Sequence, residues 1–474
     1  MALGMPRGLR ASNLLASASA KAPKPNILFI MTDQQHWRML SCFGNPWVKT
    51  PHMDSIAATG ARFDNAYTTF PQCVPARVSL VTGRMPSYFG VQQNTATIDA
   101  QFLPRINHAH TLGALFQAAG YDTVYGGKVH LPTALAGESA VKKQESVSGI
   151  GFRTLSADWK RNMAEACAAY LRSKHDKPFF MFASFINPHD ICGVNDKLAK
   201  SAGQPFGQWS AQFRDGKKLG WPAGVSREQF FAKGCPPLPR NNALPQGEPA
   251  LAAVPEYRSF QKLTEEQWRF QQWAYCRLVE DVDACVGTIL KALRAAGLED
   301  STLIVFTSDH GDMNGAHKLA NKRALYEEAT RVPFIVSFKG KTKPGSVDAQ
   351  HLLSTGLDML PTVCDYAGIA VPPDLPGRSV RMLAEGKPAN QWRDDVMIEL
   401  SRGRALRTAR YKYIWYADDS EQLFDVQTDP GELHDLKTDS KLKPVLEDHR
   451  RRLAAARARL SDGLVLNVKE RGKE

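Results

Sequence analysis

The segment Asn26–Met31 (NILFIM) is an almost unbroken apolar run that stops at Thr32-Asp33-Gln34. A short run without polar alternation marks a strand buried on both faces. Three further runs behave alike. Pro178–Phe185 (PFFMFASF) stops at Asn187-Pro188-His189, Thr302–Thr307 (TLIVFT) stops at Ser308-Asp309-His310, and Val332–Phe338 (VPFIVSF) follows a helix-like stretch. Helical patterns lie between them. Thr111–Ala119 carries Leu112, Leu115 and Phe116 on one face and ends at Gly120, and Trp268–Ala296 carries Trp273, Val279, Val282, Val286 and Ile289 and ends at Gly297. Strands alternating with helices predict an α/β fold, a large mainly parallel sheet sandwiched by helices. Ligands of such sheets bind beyond the carboxyl ends of the strands. Asp33, Gln34, His189, Asp309 and His310 are therefore expected to face one crevice.

The chain of 474 residues is long enough for a large domain plus a small one. We expect an N-terminal tail or degenerate signal segment over 1–24, a catalytic domain over 25–387, and a C-terminal α+β subdomain over 388–474. The last is expected from short strands at Val396–Leu400, Ala405–Thr408 and Tyr411–Tyr416 and a terminal helix over Pro444–Leu460. Residues 191–255 are rich in Gly, Pro and Lys without clear periodicity and read as a loop-rich insertion. Their Phe206, Trp209, Phe213, Trp221, Phe230 and Phe231 are expected either to stack on a ring of a ligand or to pack as a peripheral insertion.

A net charge of +12 favours an anionic partner, although the Arg-rich stretch His449–Arg459 reads as a solvated helix face. No nucleic-acid motif makes the charge specific, and no apolar run approaches a membrane span. The eight cysteines are scattered without metal-ligand spacing, which argues against a disulfide scaffold and a zinc site. At the N-terminus, Arg7, Arg10, Leu14-Leu15 and Ala18-Ser19-Ala20 fit either a degenerate export signal, for a periplasmic or secreted protein, or a tail on a cytoplasmic one.

The stretch Cys73-Val74-Pro75-Ala76-Arg77-Val78-Ser79-Leu80-Val81-Thr82-Gly83-Arg84 is the most informative for chemistry. Pro75 suits a first helical turn and Gly83 the position past a helix end. Cys73 is thus expected at a helix N-terminus, a natural anion site, with Arg77 one turn on along the same face. Asp33, Gln34, Asp309 and His310 supply three oxygen ligands and one imidazole for a divalent cation, with the group at Cys73 as a further ligand. Hard oxygen donors favour Ca²⁺ or Mg²⁺, and the imidazole admits Mn²⁺. Lys128 and His130, two apart after Gly126-Gly127, reach the same face if the chain is extended there.

The Cys73 stretch resembles the C-x-[PA]-[SA]-R … L-x-T-G-R signature of type I sulfatases, in the alkaline-phosphatase-like superfamily. Gly120–His130 resembles the family's G-Y-x-T-x-x-x-G-K-x-H segment, and Asn187-Pro188-His189 its P-H motif. His317–Lys322, leading into Tyr326–Pro333, resembles H-x-L-x-x-K followed by Y-E-x-x-x-R-x-P, so that the matched lysine is Lys322. The likeness spans residues 25 to about 440, in family order. It implies that Cys73 is oxidised to formylglycine by a separate maturation enzyme, and that the hydrated aldehyde is the nucleophile. Lys128, Lys322, Arg77 and the metal are then expected to cradle the sulfuryl group. Asp309 would take a proton from the nucleophile, His189 with Lys322 would protonate the leaving oxygen, and His130 would take the last hydroxyl proton as sulfate is expelled. Glu327 and Glu328 are expected as structural partners of Arg331 or a helix cap.

These residues point to a sulfatase acting on a sulfated small molecule or glycan, with a carbohydrate expected from the basic charge and the aromatic insertion. Gln34 and His310 depart from the commonest Asp and Asn of the family. They leave open a phosphonate monoester hydrolase or phosphodiesterase on the same scaffold. A non-catalytic sulfoglycan-binding protein is the third possibility.

Overall fold

The computed structural model describes residues 24–460 apart from 139–144, 203–209, 213–217, 221, 245–247 and 251–253. The proposed tail, and the aromatics Phe206, Trp209, Phe213 and Trp221, lie outside the described residues.

Eight strands make the main sheet: β1 (Asn26–Asp33), β2 (Ala61–Phe63), β3 (Asp122–Gly127), β4 (Arg153–Ser156), β5 (Phe179–Pro188), β6 (Thr302–Ser308), β7 (Phe334–Ser337) and β8 (Ser346–Asp348). Their order is β8-β2-β7-β6-β1-β5-β3-β4. Every adjacent pair is parallel except the two made by β7, which runs against β6 and β2. The fold is thus the expected α/β sandwich. The apolar run of β1 explains its central place: Ile27, Phe29 and Met31 enter one core while Leu28 and Ile30 enter the core on the opposite face. A strand buried on both sides has no polar face to show water.

Helix α1 (Pro51–Thr59) precedes β2, and α2 (Cys73–Thr82) follows it. All ten residues of α2 are buried. Its Val74, Val78 and Val81 join the core lined by Phe29 and Met31. It ends at Gly83, which takes the left-handed φ of 69° that a β-carbon disfavours, and whose N–H returns to the Ser79 carbonyl at 2.7 Å. The helix α3 (Leu112–Ala118) forms as expected, and α4 (Arg161–Arg172) precedes β5.

Residues 191–200 differ from expectation. They form α5 (Ile191–Lys200), which buries Ile191, Val194, Asn195 and Leu198, a helical spacing. Phe230 and Phe231 are also buried, in a core shared with Phe270 and Trp273, so these two pack inward rather than meeting a ligand. The long helix α6 (Glu265–Ala295) starts three residues before the expected Trp268. A capping box fixes that start: the Thr264 hydroxyl accepts from Gln267 N (3.3 Å) and Gln267 Oε1 accepts from Thr264 N (2.9 Å).

The chain then forms α7 (Thr355–Ala367) and a separate antiparallel sheet in sequential order: β9 (Asp395–Leu400), β10 (Gly403–Thr408), β11 (Tyr411–Tyr416) and β12 (Glu421–Asp425), capped by α8 (Lys443–Leu460). The fourth strand was not expected from the sequence. Of the arginines of α8, the exposed Arg450 pairs with Glu421 of β12 and the half-buried Arg452 with Asp395 of β9 at 2.7 Å, while His449 is buried, so only part of the stretch is a solvated face. All eight cysteines are unpaired, and among the described residues no helix is long and apolar enough to cross a membrane.

Candidate active site

The ends of β1, β3, β5 and β6 converge on the N-terminus of α2. Asp33 closes β1 and is wholly buried. Its Oδ2 accepts from Lys128 Nζ (2.6 Å) and Arg77 Nη2 (2.9 Å). Burial alone would raise its pKa, but Lys128, His189, Lys322 and Arg77 outweigh that and hold it well below the usual carboxylate value. Asp309 goes the other way. Burial and the neighbouring Asp33 push it up, against His310 and Arg77. Its Oδ1 accepts the Gln34 and His310 backbone N–H groups (3.0 and 2.9 Å), and its Oδ2 accepts Arg77 Nε (2.9 Å).

Arg77 stands between the two carboxylates. Its Nη1 also donates to the Lys128 carbonyl (2.7 Å) and Ser184 Oγ (3.0 Å). Arg77, expected to face the sulfuryl group, is instead spent on holding Asp33 and Asp309.

Gln34 turns out of β1 at φ 68°, a backbone state that costs a non-glycine residue about 1–3 kcal/mol. Its amide explains why the turn persists: Nε2 donates to Asp312 Oδ2 (2.6 Å) and Oε1 accepts from Lys322 Nζ (2.8 Å). Lys128 is placed by a close approach. A β-carbon on Gly127 (φ 102°) would meet the Ser184 carbonyl at 1.9 Å. Only glycine lets β3 run so near β5 that Lys128 N reaches that same carbonyl at 3.0 Å.

Cys73 sits at the focus. Lys322 Nζ lies 3.1 Å from its Sγ, His310 Nε2 3.3 Å and Asp33 Oδ1 3.7 Å. The Gly311 carbonyl, 2.9 Å from His310 Nδ1, takes that nitrogen's proton and leaves Nε2 facing the sulfur. Burial and Asp33 oppose ionisation of the thiol, yet Lys128, Lys322 and His310 prevail and hold its pKa well below the ordinary value. Asp33, Cys73, Asp309 and His310 each present one ligand atom, all within 4.8 Å of one another. Two carboxylates, an imidazole and a group on Cys73 make a donor set that fits one divalent cation. The Gln34 oxygen, expected as a further ligand, accepts instead from Lys322 Nζ at 2.8 Å and from Cys192 Sγ at 3.4 Å.

His189 follows the cis Asn187–Pro188 bond at the end of β5. Burial and then Lys322 push its pKa down, against Asp33 and the Cys73 sulfur, with which it hydrogen-bonds. His130 is half-buried. Its left-handed φ of 51° breaks the extended geometry expected after Lys128, and Glu145 accepts its backbone N–H at 3.0 Å. It nevertheless lines, with Lys128, Trp159, Lys160 and His189, a cavity of about 680 Å³ that opens from the site. Asp312 and Ser184 escaped the sequence reading. Asp312 shares a short loop with His310, a signal that existed. Burial raises it to about 6. Ser184 is visible only through the close approach of β3 and β5.

The family model for the sulfatase family matches residues 25–369, and that for the N-sulphoglucosamine sulphohydrolase C-terminal region matches 315–459. The chain belongs to the sulfatase family, and it is a sulfuric ester hydrolase of alkaline-phosphatase-like fold. It is 31% identical to a Delta 4,5-hexuronate-2-O-sulfatase of Bacteroides thetaiotaomicron, over 92% of this chain and 89% of that one. It is 30% identical to a choline-sulfatase of Rhizobium meliloti, over 87% and 82%. Among solved structures, a 2-O GAG sulfatase superposes with a TM-score of 0.75 at 28% identity, covering 93% of each chain.

Proposed function

We propose that this sulfatase removes sulfate from a carbohydrate, with Cys73 matured to formylglycine by a separate enzyme. Asp33, Gln34, Asp309 and His310 would hold Ca²⁺. The observation that carries the reading is the convergence of Lys322, His310 and Asp33 on Cys73 Sγ at the N-terminus of a wholly buried helix. A buried structural cysteine has no need of a lysine at 3.1 Å and an imidazole at 3.3 Å. That sulfur marks the place of the nucleophilic oxygen. The cation, when bound, supplies Lewis-acid charge for the sulfuryl oxygens.

The chain's own groups divide the remaining work. Lys128 and Lys322 present fixed ammonium groups to the anionic ester. Arg77 holds Asp33 and Asp309 in place. Asp309, whose pKa is raised, takes a proton from the nucleophile, and His189 gives one to the leaving oxygen. His130, at the cavity wall, takes the hydroxyl proton in the last step.

A sugar is favoured by the cavity beside His189, with the half-buried Trp159 as an apolar wall, and by the hexuronate sulfatase likeness. Residues 1–24 are assigned to export, on Arg7, Arg10 and the Ala18-Ser19-Ala20 site. The test is sulfate release from a panel of defined sulfated saccharides, with choline sulfate and an aryl phosphonate alongside, using enzyme matured in a converting host. Release from a saccharide above all others supports the proposal. Preference for the phosphonate or for choline sulfate overturns the substrate assignment.

A further inference from the structure

A second group of ligating side chains lies apart from Cys73. His317, Glu328 and Glu432 each present one donor atom, and the three atoms lie within 4.8 Å of one another. His317 is wholly buried, and neither ring nitrogen makes a hydrogen bond of acceptable geometry, although the Gly431 backbone lies close by. Its ring is fixed by stacking on Tyr326, with centroids 4.0 Å apart and planes at 10°. Its backbone is held at φ 53°, with its N–H on the Asn241 carbonyl at 2.7 Å. A buried imidazole with both nitrogens idle loses their desolvation energy for no return, unless something occupies the space they face.

The open donor atoms point to a cation. Glu327 takes most of the positive charge nearby: Lys412 at 3.1 Å, Arg331 at 3.6 Å and Arg407 at 3.7 Å. This bears out its expected pairing with Arg331. Glu432 shares Lys412 at 3.0 Å and accepts the Glu327 N–H at 2.7 Å. Glu328 receives only the Asn241 amide, at 2.8 Å on Oε1, while its buried Oε2 has no partner. Burial raises both Glu328 and Glu432, the latter to about 8. Burial likewise drives His317 down to about 3, so the imidazole is neutral, which is the ligating form.

We propose that His317, Glu328 and Glu432 form a second, structural site for a divalent transition-metal cation such as Zn²⁺ or Mn²⁺. The imidazole admits that class, and unlike the centre at Cys73 this set has no further amide or hydroxyl oxygen to build the oxygen-rich shell of Ca²⁺. Water on the partly exposed side of Glu328 completes the shell. His317 and Glu328 flank the loop that carries Lys322, and Glu432 follows β12 of the C-terminal sheet. The ion therefore clamps the active-site loop to that sheet.

The competing occupant is a proton on Glu432. The test uses the full-length matured enzyme, stripped of metal and then reloaded with Ca²⁺ plus Zn²⁺ or Mn²⁺, with bound ions counted by elemental analysis and native mass spectrometry. We expect one tightly held transition-metal equivalent in the wild type and in Asp33→Asn, and its loss in Glu328→Gln and His317→Gln, with a lower Tm in those two. A wild type that takes up no transition metal overturns the proposal in favour of the proton. An equivalent lost in Asp33→Asn but kept in Glu328→Gln also overturns it, by placing the ion at Cys73. The wild-type and Asp33→Asn counts decide the matter even where the other variants fail to fold.

Discussion

Arg77→Met keeps the buried stem and deletes the guanidinium, so it measures what the fork between Asp33 and Asp309 contributes. Two charge-assisted hydrogen bonds to carboxylates go, each worth about 1.5–3 kcal/mol. Asp33 keeps Lys128 at 2.6 Å, whereas Asp309 keeps only backbone donors and His310. The loss should then fall near the ~3–5 kcal/mol typical of breaking a buried pair. For a chain of this size that is roughly 3–5 °C in Tm, at ~1 °C per kcal/mol. The pH dependence has a definite sign. Asp309 already lies above its ordinary value through burial and Asp33, and losing Arg77 raises it further. A carboxyl with a raised folded pKa binds its proton better when folded, so its cost appears as pH rises from the unfolded pKa of about 3.9 to the folded one. The Tm gap between wild type and variant should be smaller near pH 4, where only the lost bond to the still-ionised Asp33 counts, and full at pH 8. A 1 Å misplacement of Asp33 or Asp309 should also cost about 100-fold in kcat/KM. Thermal melts of metal-free protein at both pH values, with initial rates on the loaded enzyme, check this. A gap under about 1 °C at pH 8 with intact kcat/KM would refute the assignment of Arg77 as the group that holds the carboxylates.

Chelation should abolish turnover and Ca²⁺ should restore it. Full activity in protein shown by elemental analysis to be metal-free contradicts the site. Peptide mass spectrometry of active enzyme should find formylglycine at position 73, and Cys73→Ala should be inert. Activity with only unmodified cysteine there sinks the nucleophile assignment. His189→Ala should slow a sugar sulfate by about 10²–10⁴-fold, the usual worth of general acid–base help, and a nitrophenyl sulfate far less, because its phenolate leaves without a proton. Equal losses on both substrates would make His189 a binding residue and leave Lys322 as the acid.

What could be read from the sequence followed from the strand ends. Each apolar run gave a strand, and the polar residues at its carboxyl end had to meet, because a parallel sheet puts those ends on one edge. That argument places Asp33, Gln34, His189, Asp309 and His310 together without any tertiary information. It says nothing of who pairs with whom. Arg77 was assigned to the sulfuryl group because a cation near a nucleophile suggests an anion. The structure gives its donors to two carboxylates and to Ser184, a partner visible only where β3 approaches β5. The helix Ile191–Lys200 is hidden although its apolar spacing is helical, since residues 191–255 taken together are rich in Gly, Pro and Lys without clear periodicity and read as a loop. Burial against α6 overrode that local composition. His130 reaches the site by another route than the extended spacing suggests: a left-handed turn sets it in the wall of the cavity that Lys128 and His189 also line.

The electrostatics also bear on the formylglycine proposed at position 73. Around that position Arg77, Lys128 and Lys322 face Asp33 and Asp309, which leaves one positive charge over. With its pKa held well below the ordinary thiol value, Cys73 as a thiolate supplies the missing negative charge, and Lys322 is bound to it at 3.1 Å. In that state the protein has filled its own anion site and competes with any sulfate for Lys322. The proposed conversion to an uncharged aldehyde would remove the internal counter-ion. Lys322 and Lys128 would then be free for the substrate's negative charge, with a divalent cation adding to the pull. The proposed modification would thus both make the nucleophile and empty the pocket that the sulfuryl group must enter.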